Sequence, residues 1–183
     1  MELIATHDSG TGEVSEGLLS YLVLPFAKTQ SKTIMQQYDA GCRLFDFRVK
    51  YDKHGELVFA HGLWHSSVTL LDIIRKLSSK WQWKCNITYE GKLTTEESRN
   101  KFVADITEIM TYYGLISRLG DIAVKLPKWV ILKHYHNYTF DYGFKTIYWF
   151  NWRCLLPIPW LWDKLCSRPH KFNNKSYTMV DFL

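Results

Sequence analysis

Short apolar runs punctuate the chain, and longer periodic stretches separate them. Glu2–Thr6 (ELIAT) is a brief apolar run that ends in a polar cluster. Cys42–Val49 (CRLFDFRV) alternates, so that Leu44, Asp46 and Arg48 share one face and Arg43, Phe45, Phe47 and Val49 the other. Leu57–His61, Cys85–Glu90, Trp129–Tyr135, the weaker Thr146–Phe150 and the closing Tyr177–Leu183 read as further strands. Helices are predicted between them. Ser31–Ala40 precedes Gly41, which is placed to act as a C-terminal cap. Thr69-Leu-Leu-Asp72 reads as a capping box opening a helix to about Lys80, and Thr94-Thr-Glu-Glu97 as a second, opening a helix to Tyr113 before Gly114. This βαβα order predicts an α/β fold with a mostly parallel sheet. Seven strands suggest a (β/α) TIM-type barrel. Barrels of that type take ~250 residues, so 183 residues predict one that is shortened or incompletely closed.

Composition adds two constraints. Hydrophobic residues make up 46% of the chain, enough for a packed core, and no repeat or low-complexity linker divides residues 1–183, so one domain is expected. The net charge of +5 is uneven. Residues 1–120 carry 14 basic and 14 acidic side chains, whereas residues 121–183 carry 9 and 4, together with 5 of the 8 Trp. No apolar run is long enough to span a bilayer. The acidic and polar residues Glu2, His7 and Asp8 do not fit a signal peptide, so a cytoplasmic or peripheral membrane location is the default expectation. Cys42, Cys85, Cys154 and Cys166 form no CxxC pair, so no zinc site is expected. No glycine-rich phosphate loop follows a strand, and no motif supports nucleic-acid binding.

Polar residues gather where the predicted strands end. His7, Asp8 and Ser9 follow the first, Asp46 and Arg48 close the second, His61 the third and Glu90 the fourth, while His134 and Asp181 come late in later strands. Strand C-termini form the active-site rim of a parallel α/β barrel. Two His residues, an Arg and several carboxylates there suit phosphoryl transfer: one imidazole as base, the other as acid, with the Arg neutralising phosphoryl charge. Read singly, each residue has an ordinary structural explanation. His7–Asp8 fits a turn, His61–Gly62 another, and Asp46–Arg48 a structural ion pair. Their co-occurrence favours catalysis.

In order and spacing, Thr6-His-Asp-Ser-Gly10, Met35-Gln-Gln-Tyr-Asp-Ala-Gly-Cys-Arg-Leu-Phe-Asp-Phe-Arg48 and Ala60-His-Gly62 resemble the catalytic X-domain of phosphatidylinositol-specific phospholipase C. The resemblance is closest to the bacterial, metal-independent branch. It is strongest over residues 3–77 and continues through residues 120–135 and Thr178-Met-Val-Asp-Phe182. It implies His7 as general base toward the inositol 2-hydroxyl, His61 as general acid toward the glycerol oxygen, and Arg48 at the phosphate. It also implies Asp46 as the acidic residue paired with Arg48, Asp8 as support for His61, and Asp181 as support for His7. In the calcium-dependent members an Asn follows the first His and an acidic residue replaces the Arg. Asp8 and Arg48 at those positions imply no metal and no cofactor. Glu90, Lys92, Lys133 and His134 stand in the stretches where bacterial members bind inositol, so with Arg48 they are the expected substrate-binding residues. The expected partner is a phospholipid membrane surface, met by a monomer. Leu18–Phe26 and the Trp-rich Tyr148–Trp162, helped by the nearby Arg153, Lys164, Arg168, Lys171 and Lys175, are the segments expected to meet it, although core packing explains most of the same aromatics. A phosphodiesterase on another head group, or a catalytically silent lipid-binding module, remains as an alternative reading.

Overall fold

The computed structural model describes residues 4–113, 122–125, 145–146, 168–172 and 175–180. In chain order these form β1 (Ile4–Thr6), a 3-10 turn (Ser9–Gly12), α1 (Gly17–Ala27), α2 (Ile34–Asp39), β2 (Cys42–Tyr51), β3 (Leu57–His61), β4 (Trp64–Thr69), α3 (Leu70–Ser78), β5 (Lys84–Tyr89), α4 (Glu96–Tyr112), β6 (Ile122–Lys125), β7 (Lys145–Thr146), β8 (Arg168–Phe172) and β9 (Lys175–Val180).

All nine strands belong to one sheet of a mixed α/β fold. Its centre is the parallel row β9-β1-β2-β5-β6. Two antiparallel additions flank it: β3 and β4 fold back on β2, and β8 and β7 extend β9. The parallel order matches the barrel expectation. Closure does not appear among the described pairings, where the sheet is open and β6 pairs with β5 alone. The expected strand Trp129–Tyr135 and the segment Tyr148–Trp162 lie outside the described residues, and the strand beside β5 is Ile122–Lys125.

The alternation of β2 divides the molecule into a core face and a site face. Phe45, Phe47 and Val49 are fully buried in the apolar core with Phe59, Trp64 and Ile87. Phe47 stacks edge-on to Phe59 with ring centroids 5.3 Å apart. The helices cover this face. In α3, Leu70, Ile73, Ile74 and Leu77 recur at helical spacing and are all buried. Phe102, Val103 and Ile106 do the same from α4. Buried indoles have partners for their N–H: Trp64 Nε1 donates to Ser15 Oγ at 2.8 Å and Trp83 Nε1 to the Leu77 carbonyl at 2.6 Å.

Caps set the helix ends. Thr33 and Gln36 form a reciprocal capping box for α2, and Gly41 takes φ +101° just beyond its end, as expected for a C-terminal glycine. Thr69 caps α3 by accepting from the Asp72 amide. The expected box at Thr94 is corrected by one residue. Thr95 caps α4 and Ser98 returns the bond, because Ser98 reaches the Thr95 amide.

The 3-10 turn lies tightly against its neighbours. A Cβ on Gly12 would fall 1.8 Å from the Lys32 carbonyl oxygen, and one on Gly10 would fall 2.4 Å from the Phe59 ring. The Lys32 obstruction is backbone, so the turn itself must shift to make room. Gly12→Ala is therefore expected to destabilise the fold by roughly 1–3 kcal/mol, read as a lowered urea midpoint. An unchanged midpoint would contradict this packing.

Candidate active site

The site lies where one edge of β2 changes partners. Along its other edge, β5 pairs with Leu44 through Val49. β1 pairs with β2 only as far as Phe45, and β3 pairs from Val49 onward, so these two share the remaining edge. Between them is a break beside Asp46, Phe47 and Arg48. His7 and Asp8 continue from the end of β1 into this break, and His61, running antiparallel, ends β3 there from the opposite direction. Six of the expected residues therefore converge: His7, Asp8, Asp46, Arg48, His61 and, just past β5, Glu90.

Asp8 stands at the centre. It is buried and takes a left-handed backbone, φ 42° and ψ 51°, which Asp tolerates better than most residues. Arg48 Nε contacts its Oδ1. Its Oδ2 lies 3.3 Å from His61 Nδ1 and 3.5 Å from His7 Nε2, so one carboxylate oxygen faces both imidazoles. Neither oxygen receives a well-formed hydrogen bond, and compensation comes from these charged and ring groups. Burial pushes the Asp8 carboxyl up to about 7; Arg48 and then His61 oppose the rise, and Asp46 and Glu90 add to it.

Asp46 has a different environment. Its Oδ1 accepts from Asn86 Nδ2 at 3.1 Å and its Oδ2 from the Asp8 amide at 3.4 Å. Its own amide donates to Ser9 Oγ at 2.9 Å. Hydrogen bonds hold this carboxylate in place, and it braces the turn that carries His7 and Asp8.

The imidazoles have assignable tautomers. Arginine has only donors, so at 3.1 Å from Arg48 NH2 the His7 Nε2 must be an acceptor, and its ring proton sits on Nδ1. A carbonyl can only accept, so His61 Nδ1, 2.9 Å from the Ala27 oxygen, carries a proton. This directs His61 Nε2 to any proton transfer. His7 is nearly buried, whereas the His61 and Arg48 side chains each keep 29% exposure, so the site opens to solvent on their side.

His7, Asp8 and Asp46 place donor atoms within 4.8 Å of one another, a spacing that a cation can bridge. Arg48 approaches all three, with Nε 3.7 Å from Asp46 Oδ2 in addition to its contacts with His7 and Asp8. A guanidinium thus lies against the donors that a metal ion would use.

The expected substrate-binding residues are only partly brought together. Glu90 bridges two site elements, accepting from the Gly62 amide at 3.0 Å and lying 3.8 Å from Arg48 NH1. Lys92 is exposed two residues further on. Lys133, His134 and Asp181 lie outside the described residues. Two further residues take part in the site without an expected role. Ser9 stands inside the first motif and accepts from the Asp46 amide; for Asn86 strand alternation, placing it on the Glu90 face, is the sole signal.

No family model matches the sequence. Among solved structures, similar chains are bacterial phosphatidylinositol-specific phospholipases C. The enzyme from Listeria monocytogenes is 17% identical, and the match covers 59% of this chain and 40% of that chain at a TM-score of 0.44. A pentafluoro-Phe-containing phosphatidylinositol-specific phospholipase C from Staphylococcus aureus is 22% identical over 67% of this chain and 47% of that one, also at 0.44. Another S. aureus phosphatidylinositol-specific phospholipase C, from work on the modulation of its membrane binding, is 20% identical over 67% and 46%, at 0.40. The match spans less than half the length of each of these chains.

Proposed function

We propose that this chain is a phosphodiesterase of the phosphatidylinositol-specific phospholipase C type, acting as a single-domain monomer on a shortened or incompletely closed (β/α) barrel. The observation that carries this reading is the convergence of His7, His61 and Arg48 around the buried carboxylate of Asp8. The proposed head group is the inositol phosphate that the resemblance of these motifs implies. His7 Nε2 takes the proton of the inositol 2-hydroxyl, and that oxygen attacks phosphorus. The bond from phosphorus to the glycerol oxygen breaks, and His61, entering the step with a second proton on Nε2 besides the one on Nδ1, delivers that proton to the departing oxygen. The products are a cyclic inositol phosphate and diacylglycerol. Arg48 moves from the His7 ring to the phosphoryl oxygens, which frees the His7 lone pair and offsets the developing charge without a metal. Asp8 holds the His61 ring, Asp46 braces the turn, and Asp181 supports His7. Glu90, Lys92, Lys133 and His134 surround the head group.

A phospholipid surface is the proposed partner, and α1 is the element that meets it. This helix is inverted relative to a soluble one. Its Ser20 is fully buried and bonded to His65 Nδ1 at 3.1 Å, while Leu18 and Leu22 are 76% and 64% exposed, beside exposed Leu19 and Tyr21. It carries no charged residue. Leu63, two residues beyond His61, is also exposed, so apolar surface lies close to the catalytic rim. Among the described residues no helix is long and apolar enough to cross a membrane, so α1 would lie in the interface.

Phosphorus NMR of phosphatidylinositol vesicles tests the chemistry. A cyclic phosphate signal is expected, unchanged by EDTA and reduced by at least roughly a hundredfold in His7→Ala and in His61→Ala. Turnover only of another diester lipid would move the assignment to that head group. Vesicle binding without turnover of any diester would leave a silent lipid-binding module.

Replacing Leu18 and Leu22 by Ser is expected to weaken vesicle sedimentation by roughly tenfold per side chain, while turnover of a short-chain monomeric substrate is retained. Undiminished sedimentation would remove α1 from the interface.

The raised Asp8 carboxyl gives a pH signature. Between its ordinary value of 3.8 and about 7, the folded chain keeps a proton that the unfolded chain has released. Its contribution to stability is therefore largest at the acid end of that window and declines as pH rises through it. Asp8→Asn tolerates the same backbone and removes this slope. Its urea midpoints at about pH 5 and about pH 7.5 should differ less than those of the wild type, and equal differences would refute the assignment.

A further inference from the structure

The short connection leaving α1, residues 27–30, touches both halves of the acid–base pair. Its first residue, Ala27, holds the His61 ring through its carbonyl oxygen. Two residues on, Thr29 Oγ1 lies 2.9 Å from the His7 carbonyl oxygen and 3.3 Å from that of Asp8. Gln30 Nε2 donates to the same His7 oxygen at 3.1 Å. Both side chains are buried.

Counting protons shows how the hydroxyls are committed. Thr11 Oγ1 accepts two amides, Thr29 N at 3.0 Å and Gln30 N at 3.1 Å. Its own single proton has two acceptors in reach, Thr29 Oγ1 at 2.9 Å and the Asp8 carbonyl at 3.0 Å, and the Thr11 amide supplies that carbonyl at 2.9 Å in either case. Thr11 Oγ1 already accepts two amides, so the one proton of Thr29 goes to the nearer carbonyl, that of His7 at 2.9 Å. The His7 carbonyl therefore receives Thr29 and Gln30 together, and the Asp8 carbonyl receives the Thr11 amide. These bonds fix the two peptide groups on either side of a left-handed residue, a conformation that costs about 1–2 kcal/mol unless its surroundings hold it.

We infer that Thr29 and Gln30 are positioning residues for His7, and that the bridge 27–30 sets the placement of the two imidazoles relative to each other. The inference rests on the proposed acid–base reading. It assigns Thr29 and Gln30 a role through His7, with no contact to substrate. A displaced His7 backbone swings its ring away from Arg48 and from the attacking hydroxyl, and misplacement of about 1 Å costs on the order of a hundredfold in rate.

The test compares Thr29→Val, Thr29→Ser and Gln30→Met in the full chain. Thr29→Val keeps the shape and loses the proton donor, and Thr29→Ser keeps the donor. Thr29→Val and Gln30→Met are expected to lower kcat by roughly ten- to a hundredfold with KM within about twofold, and Thr29→Ser to restore most of the rate. Long-range proton–nitrogen NMR of the histidine rings supplies a readout independent of turnover. The wild type should show His7 as a single tautomer protonated on Nδ1, and Thr29→Val should show a mixture. If the wild type turns over no diester lipid, the proposed reaction fails, and the ring spectrum still decides the positioning role. A folded Thr29→Val with wild-type kcat, or with a single unchanged His7 tautomer, overturns the inference. If Thr29→Val does not fold, Gln30→Met carries the same comparison.

Discussion

Everything at the candidate site depends on how β2 shares one edge between two strands of opposite direction. A parallel neighbour that stops at Phe45 and an antiparallel neighbour that starts at Val49 cannot meet. The gap between them is a place where backbone groups lack a ladder partner, and side chains and turns must supply the missing bonds. The amide of Asp46, in this gap, is satisfied by the Ser9 hydroxyl. The loops leaving β1 and β3 enter the same gap from opposite sides, which brings residues from the first and third strands within reach of one carboxylate. Irregularity in the sheet thus creates the polar centre, while the other face of the same strand packs Phe45, Phe47 and Val49 in a dry core.

Two neighbouring carboxylates divide the work according to their surroundings. Asp46 takes its hydrogen bonds from neutral donors, with the guanidinium further off at 3.7 Å, and acts as a strut. Asp8 has a guanidinium and two imidazoles around it, so its charge state responds to whatever those groups do. Three carboxylates, Asp8, Asp46 and Glu90, lie against one guanidinium. Such an arrangement favours holding an additional proton, which an acid–base pair needs. Its apolar counterpart is α1, whose Leu18, Leu19 and Leu22 face outward while its last carbonyl binds a histidine. The greasy surface and the polar centre are consequently joined by a few residues of chain.

Much of this arrangement is legible in the amino-acid sequence. The period of two in Cys42–Val49 separates Asp46 and Arg48 from the phenylalanines, because a strand buried on one face must alternate. Thr69 and Gly41 act where their chemistry suggests, whereas the helix expected from Ser31 starts at Ile34 with Thr33 as its cap. Other features leave no local signal. α1 carries apolar residues around its whole circumference, so no amphipathic stripe reveals it, and its one buried hydroxyl is explained only by His65 across the fold. The cap of α4 falls one residue beyond its expected place because two threonines stand side by side and only contact with Ser98 distinguishes them. Thr29 and Gln30 look like ordinary loop residues, since their role depends on a carbonyl more than twenty positions away. The hairpin β3–β4 interrupts an order that reads as simple βα alternation, and Trp64–Thr69 has few of the apolar residues that mark a strand.

The pairing of β1 with β9 bears on how the chain reaches its native state. Ile4 to Thr6 lie beside Thr178 to Val180, so the second edge of β1 waits for residues that leave the ribosome long after it. Closing so long a loop is entropically unfavourable and slow to reward, since its cost grows with the logarithm of its length. The described residues around Asp8 fall between positions 7 and 90 and can assemble earlier. During synthesis the nascent molecule therefore holds a largely formed polar centre beside a bare strand edge, the type of surface that recruits other unfinished chains. Shielding that edge until its partner strand arrives becomes a task for the cell's folding machinery.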